Sequence, residues 1–287
     1  MSDRALIVRV GPIAIALAGG SRDLAAALEA RFGRYAGAGE GGGAALRIDV
    51  EPALAEPFLE PPAGPQPLEV RIALRPAGTV SYTTRAAHGE FERNGGTGRL
   101  QLARTDWEPH DRAVENFLRA AAAWLAIGRG GVVVHAASVA LAGRGYLFFG
   151  PSGAGKSTVC SLARGGAVLG DDIALVWRGS GEDPRLYETP FRGSWTGPWL
   201  GESVPLRAAF RLVHGDAPRR IAVPRALGLA DLAAVLPFLG PAYACEPVLE
   251  HVAALFDGVP LYRLEFRKDD SFWEVLEDPG RGARGPA

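Results

Sequence analysis

Residues 150–158 read Gly-Pro-Ser-Gly-Ala-Gly-Lys-Ser-Thr, the spacing G-x-x-x-x-G-K-[ST]. Glycines at this spacing free the backbone to bend until several N–H groups point inward together, and such a concave set of donors is an anion site. The arrangement needs a strand before it and a helix after it, because the helix adds unpaired first-turn N–H groups and the positive end of its dipole. The flanks comply. Residues 146–149 (Tyr-Leu-Phe-Phe) read as an apolar strand running straight into the loop, and 156–164 reads as a helix. Gly150, Ser152, Gly153, Ala154, Gly155, Lys156, Ser157 and Thr158 are therefore the candidate phosphate-binding residues. Lys156 is suited to neutralise the β and γ phosphates of a nucleoside triphosphate, and the Ser157 hydroxyl to ligate Mg²⁺. Of the 31 basic residues, all but Lys156 and Lys268 are arginine. A wide guanidinium fork suits a tight loop poorly, whereas a compact ammonium on a flexible stem suits it well.

A length of 287 residues allows one large domain or two smaller ones. The net charge of −1 offers no basic field for nucleic acid or for an anionic membrane. The apolar stretch 120–142 is broken by Arg129 and His135, so no membrane span is expected. Cys160 and Cys245 lack metal-ligand spacing and fit a reducing compartment. The opening run MSDRALIVRV lacks the layout of a signal peptide, and the expected localisation is cytoplasmic.

Residues 1–110 read as a small β-rich module, suited to docking a substrate or partner. Strands are expected at 5–10 and 13–18, then a helix capped by Ser21 and running to Phe32 with Leu24 and Leu28 on its apolar face. The Gly/Ala run 36–45 and the proline-rich 55–67 read as loops. Leu68, Val70, Ile72 and Leu74 alternate with polar neighbours as in a half-buried strand, and a meander follows with a turn at Asn94-Gly95-Gly96. Asp111 is expected to cap a helix through Ile127 that ends at Gly128. The domain boundary is expected near 110, with the catalytic domain over 111–287.

Two further features point to chemistry. Asp171-Asp172 follows the expected strand 167–170, only 15 residues after Lys156. A strand, helix and strand in so short a space predict a βαβ unit with a parallel pair, which brings the carboxylates to the phosphates. Neighbouring strand residues face opposite ways, so one carboxylate is expected to face the transferred phosphate and the other the metal shell. Solvated aspartates after a strand are also common, and the doublet Asp269-Asp270 is an example of that pattern. His135 lies in the otherwise apolar strand 131–140, where a core role and a role at the phosphates are equally open.

The segments HAASVALAGRGYLFFGPSGAGKST and VLGDDIALV together resemble the HPr serine kinase/phosphorylase family in its C-terminal kinase domain. The resemblance covers roughly 130–275 and is specific up to about 177. It is closest to HPr kinase-related proteins of lasso-peptide and other peptide-modification clusters. It implies an α/β fold of the HPr kinase/PEP carboxykinase type, with the β-rich module in front. It implies Asp171 as the base that takes the hydroxyl proton, Asp172 and Ser157 at the metal, and His135 beside the transferred phosphate with Lys156. The arginine-bearing Pro-Gly-Arg-Asn loop of true HPr kinases has no counterpart; Arg207, Arg211, Arg219, Arg220 and Arg225 fall in that region instead.

The expected function is an ATP- and Mg²⁺-dependent kinase acting on a serine hydroxyl of a peptide or protein. The Gly/Pro/Trp segment 189–205, with Arg192, Trp195 and Trp199, is a candidate acceptor loop, and Glu188 or Glu202 a candidate addition to the metal shell. A small-molecule kinase acting on free serine or another metabolite, and a non-catalytic nucleotide-binding switch, are the alternatives. A homo-oligomeric state is left open, and no nucleic-acid or membrane partner is expected.

Overall fold

The structure is a computed structural model. It describes residues 5–37, 44–54, 56–61, 69–163, 165–195, 197, 201, 203–239 and 246–277. Leu68, Trp199, Glu202 and Cys245 of the sequence reading lie outside these residues. The chain is mixed α/β, with two mixed sheets and few helices. It divides into two compact units, residues 1–129 with 238–243, and residues 130–237 with 244–287.

The first unit is built on seven strands: β1 (Leu6–Val10), β2 (Ile13–Gly19), β3 (Leu46–Val50), β4 (Arg71–Leu74), β5 (Thr79–Thr83), β6 (Ala87–Glu92) and β7 (Gly96–Leu102). Their order is β1-β2-β3-β7-β6-β5-β4, with β2, β3 and β7 parallel and the other pairs antiparallel. Helix α1 (Arg22–Phe32) makes the crossover from β2 to β3. The Ser21 hydroxyl accepts from the Leu24 N–H, a cap worth about 1 kcal/mol. Leu24, Leu28 and Phe32 are its buried residues, as the periodicity requires.

Helix α2 (His110–Ile127) corrects two expectations. Asp111 is not its cap: Pro109 occupies that position without a side-chain bond, and Asp111 accepts from Arg31 at 2.8 Å. The helix also goes with the first unit, so the division falls after Arg129 rather than near 110. Packing is the reason. Phe117 meets Tyr82 and Phe91 edge-to-face, and its ring fills the place a side chain at Gly89 would take.

The second unit holds β8 (Gly131–Leu141), β9 (Arg144–Phe149), β10 (Ala167–Gly170), β11 (Ile173–Trp177), β12 (Arg185–Tyr187), β13 (Ser203–His214), β14 (Arg219–Ala222) and β15 (Leu261–Phe266). Long β8 carries β9 along its second half on one edge. On the other edge it carries β11 along its first half and β10 along its second. Strands β10 and β11 thus run alongside β8 one after the other, broken only at Asp171-Asp172. Strand β9 also pairs in parallel with β13, and β13 in parallel with β15. Antiparallel pairs β11–β12 and β12–β13 close the circuit β8-β11-β12-β13-β9.

The expected βαβ unit is present in altered form. Strands β9 and β10 both run antiparallel to β8, hence parallel to each other, but β8 lies between them and they do not pair. Helix α3 (Lys156–Ser161) between them stops short of the expected 164. One face of this sheet is covered by α3 and α6 (Phe272–Glu277) over a core of Phe148, Phe210, Phe266, Phe272 and Trp273. Phe148 stacks on Phe210 and meets Phe272 and Trp273 edge-on. The unit also holds helices α4 (Arg225–Ala233) and α5 (Glu246–Leu255). Pro224 sets the start of α4 as its N-cap. His251 donates its Nε2 proton to the Gly131 carbonyl, a structural role.

Candidate functional site

Strand register assembles the site. Phe149, the last residue of β9, lies opposite Ala136 of β8, and the Ala136 N–H in turn donates to the Asp172 carbonyl. His135 pairs with Ile173 in the same ladder. One row across the sheet therefore places the start of the glycine loop, His135 and Asp172 next to one another, although they are spread over 37 residues of sequence.

The loop adopts the backbone its composition predicts. Gly153 and Gly155 have φ of 78° and 107°, which L side chains rarely adopt. A Cβ at Gly155 would also lie 2.5 Å from the Phe266 ring. The Ala154 N–H closes a turn onto the Pro151 carbonyl, and the first bond of α3 runs from the Val159 N–H to the Gly155 carbonyl. The N–H groups of Lys156, Ser157 and Thr158 thus precede the helical ladder, where an anion can use them. Lys156 is 8% exposed and folds over the loop, its Nζ donating to the carbonyls of Gly150 (3.0 Å) and Pro151 (3.3 Å). Burial holds its ammonium below the usual lysine value, and nearby Asp172 partly offsets this. Sequence reasoning did not single out His214, whose Nε2 proton is donated to the Gly153 carbonyl at 3.2 Å. Its only local signal is its place at the end of β13, a strand whose partners cannot be read locally.

The two aspartates part company at the break between β10 and β11. Asp171 is 4% exposed, and each of its oxygens accepts a backbone N–H: Oδ1 from Gly193 (2.8 Å) and Oδ2 from Trp195 (2.7 Å). Asp172 is 27% exposed, with Oδ1 3.3 Å from His135 Nδ1. The two carboxylates thus have different partners, and the clamp on the 191–195 segment was not expected.

A cleft of about 310 Å³ is lined by Ser157, Thr158, Cys160, Ser161, Asp171, Ser194 and Trp195. It joins the loop hydroxyls to Asp171 and to the acceptor-loop candidate, and Gly193 and Ser194 at its edge are exposed. Burial, with Asp171 nearby, pushes the Cys160 thiol up to about 12, so it remains a protonated, unreactive group at neutral pH.

Other candidates have partners of their own. The Glu188 carboxylate accepts the Gly201 N–H. Among the arginines of 204–225, Arg211 pairs with Asp231 at 3.0 Å, Arg219 with Glu265 at 2.6 Å and Arg225 with Asp257 at 3.4 Å. Arg220 stacks on Tyr262.

Among the described residues no three His, Cys, Asp or Glu side chains gather closely enough to hold a metal by themselves. A sparse oxygen donor set still suits Mg²⁺, which takes one or two protein oxygens, substrate phosphates and several waters. The Ser157 hydroxyl and the Asp172 carboxylate, 27% exposed, are oxygen donors of the kind that Mg²⁺ takes. Among the described residues no helix is long and apolar enough to cross a membrane. Comparison with protein-family models finds no match to this chain, and comparison with curated proteins finds none either.

Proposed function

We propose that this protein is an ATP- and Mg²⁺-dependent kinase of the HPr kinase/PEP carboxykinase type, transferring the γ-phosphoryl group to a serine hydroxyl of a peptide or protein. The observation that carries the reading is the convergence of Lys156, the His135–Asp172 pair and an Asp171-lined cleft at the glycine loop. A switch needs the nucleotide groups only, whereas this cleft places a second carboxylate beside space for an acceptor.

In this reading the loop N–H groups and Lys156 hold the triphosphate, and the Lys156 ammonium exchanges the Gly150 and Pro151 carbonyls for phosphate oxygens. Its burial strengthens that attraction, because a charge out of water is poorly screened. Ser157 and Asp172 would hold Mg²⁺, which when bound would supply positive charge to the phosphate oxygens. His135 supports the Asp172 carboxylate and faces the phosphates. The acceptor hydroxyl enters the cleft in line with the leaving oxygen, and Asp171 takes its proton. Each Asp171 oxygen accepts one N–H and so retains a lone pair for this. The same two bonds set the acceptor loop against the base. The exposed edge at Gly193 and Ser194 favours a peptide over an enclosed metabolite.

The test is incubation with γ-labelled ATP and serine peptides encoded beside the gene, read by mass spectrometry. Phosphoserine supports the reading. Label on free serine or another metabolite replaces the acceptor class, and nucleotide binding without any product supports a switch. The Lys156→Ala variant is expected to weaken ATP binding by calorimetry about a hundredfold; unchanged binding removes the phosphate site.

A further inference from the structure

The chain has two lysines, Lys156 within the glycine loop and Lys268 just past a strand whose end packs on it. Strand β15 ends at Phe266, whose ring covers Gly155, and exposed Lys268 follows two residues later. Strand β13 ends at His214, which pairs with Phe266 and binds the Gly153 carbonyl. The ends of β13 and β15 thus flank the loop on one side. Asp172 and His135 flank it on the other, because β9 lies between β8 and β13.

This geometry orients a nucleotide. A γ-phosphate facing Asp172 and the acceptor cleft leaves the α-phosphate and nucleoside pointing away from them, toward β13 and β15. Charge there is nearly all spoken for. Arg267 pairs with Asp269 at 3.0 Å, Asp269 also accepts from the Ser271 N–H at 3.1 Å, and Glu265 pairs with Arg219. Lys268 has no ion pair among the described residues, and its ammonium is left for an anion.

We infer that the ends of β13 and β15 form the nucleoside side of the nucleotide site, and that Lys268 binds the α-phosphate there. The inference rests on the kinase reading above. It adds a binding residue that the G-x-x-x-x-G-K-[ST] pattern does not contain. A contact to the α-phosphate is common to ATP and ADP, whereas Lys156 at the β and γ phosphates distinguishes them.

Calorimetric titration of wild type, Lys268→Ala, Lys268→Glu and Lys156→Ala with MgATP and MgADP tests this. Lys268→Ala is expected to weaken both nucleotides roughly tenfold and equally. Lys268→Glu is expected to weaken them further, and Lys156→Ala to penalise ATP more than ADP. Affinities of both Lys268 variants within twofold of wild type overturn the inference while leaving the kinase reading intact, provided Lys156→Ala loses ATP. A loss in Lys268→Ala for ATP but not ADP also overturns it, since the contact then lies at the γ-phosphate. Failure of wild type to bind either nucleotide overturns the kinase reading, and this inference with it. Position 268 is exposed, so melting temperatures equal to wild type are expected for both variants.

Discussion

In the first unit, Glu115 is 1% exposed and takes Arg31, Arg112 and Arg119 as partners, with Asp111 beside it on Arg31. In the second unit, Lys156 feels the charge of Asp172, which lies 3.3 Å from His135, but His135 and Asp172 reach solvent, 41% and 27% exposed. The first cluster is saturated by its own residues and ties α1 to α2. The second keeps two of its members at the surface. Buried charge that satisfies itself is architecture, since removing one member strands the rest. Charge that reaches solvent beside a glycine loop can meet a ligand.

The largest expected effect lies in the second cluster. Asp171→Asn should reduce phosphoryl transfer about a thousandfold, within the span of general-base losses, with nucleotide affinity retained. An amide nitrogen cannot accept the second loop N–H, so the acceptor KM should rise as well. Steady-state kinetics read both, and full transfer activity would remove Asp171 from the base role. Glu115→Ala should break the architectural cluster and cost about 3 kcal/mol by removing the buried carboxylate that Arg31, Arg112 and Arg119 share. Chemical denaturation measures that loss, and MgATP affinity should not change. Equal damage to both properties would end the contrast between the clusters.

A smaller effect sharpens it. Burial raises the Glu108 carboxyl above its usual range, and the Asn116 amide bond (2.8 Å) and Arg112 only partly offset this. A carboxyl whose folded value exceeds its unfolded one contributes stability below the unfolded value and loses it as pH rises through the folded value. Wild type should therefore lose melting temperature relative to Glu108→Gln as pH rises from about 4 to above the raised folded value. Parallel curves over that range would place Glu108 in water rather than in the core.

Much of the site was legible because it is local. The glycines, Lys156, Ser157, the strand before them and the helix start after them are contiguous, so a short-range pattern sufficed to locate that strand and that helix start. The capping role of Ser21 and the buried face of α1 were legible for the same reason. Asp111 misled because an acidic residue at a helix start suits either a cap or an ion pair, and Arg31 lies 80 residues away. The boundary near 110 misled because a change in composition marks it, whereas Phe117 seats α2 by filling the space above Gly89. His214 went unread because its partner is a carbonyl 61 residues upstream.

By itself the sequence determined the loop, since backbone freedom at a few glycines and one lysine between them are properties of neighbouring residues. It also determined that two carboxylates stand close behind that loop. The tertiary structure decided which partners each of them meets. Insertion of β8 between β9 and β10 sets Asp172 beside His135, and the break between β10 and β11 turns Asp171 onto the Gly193 and Trp195 N–H groups. Strand register is a sum over many distant pairings, and a shift of one residue would exchange the two faces. That choice belongs to the packed sheet, because no short stretch of the chain contains all of its terms.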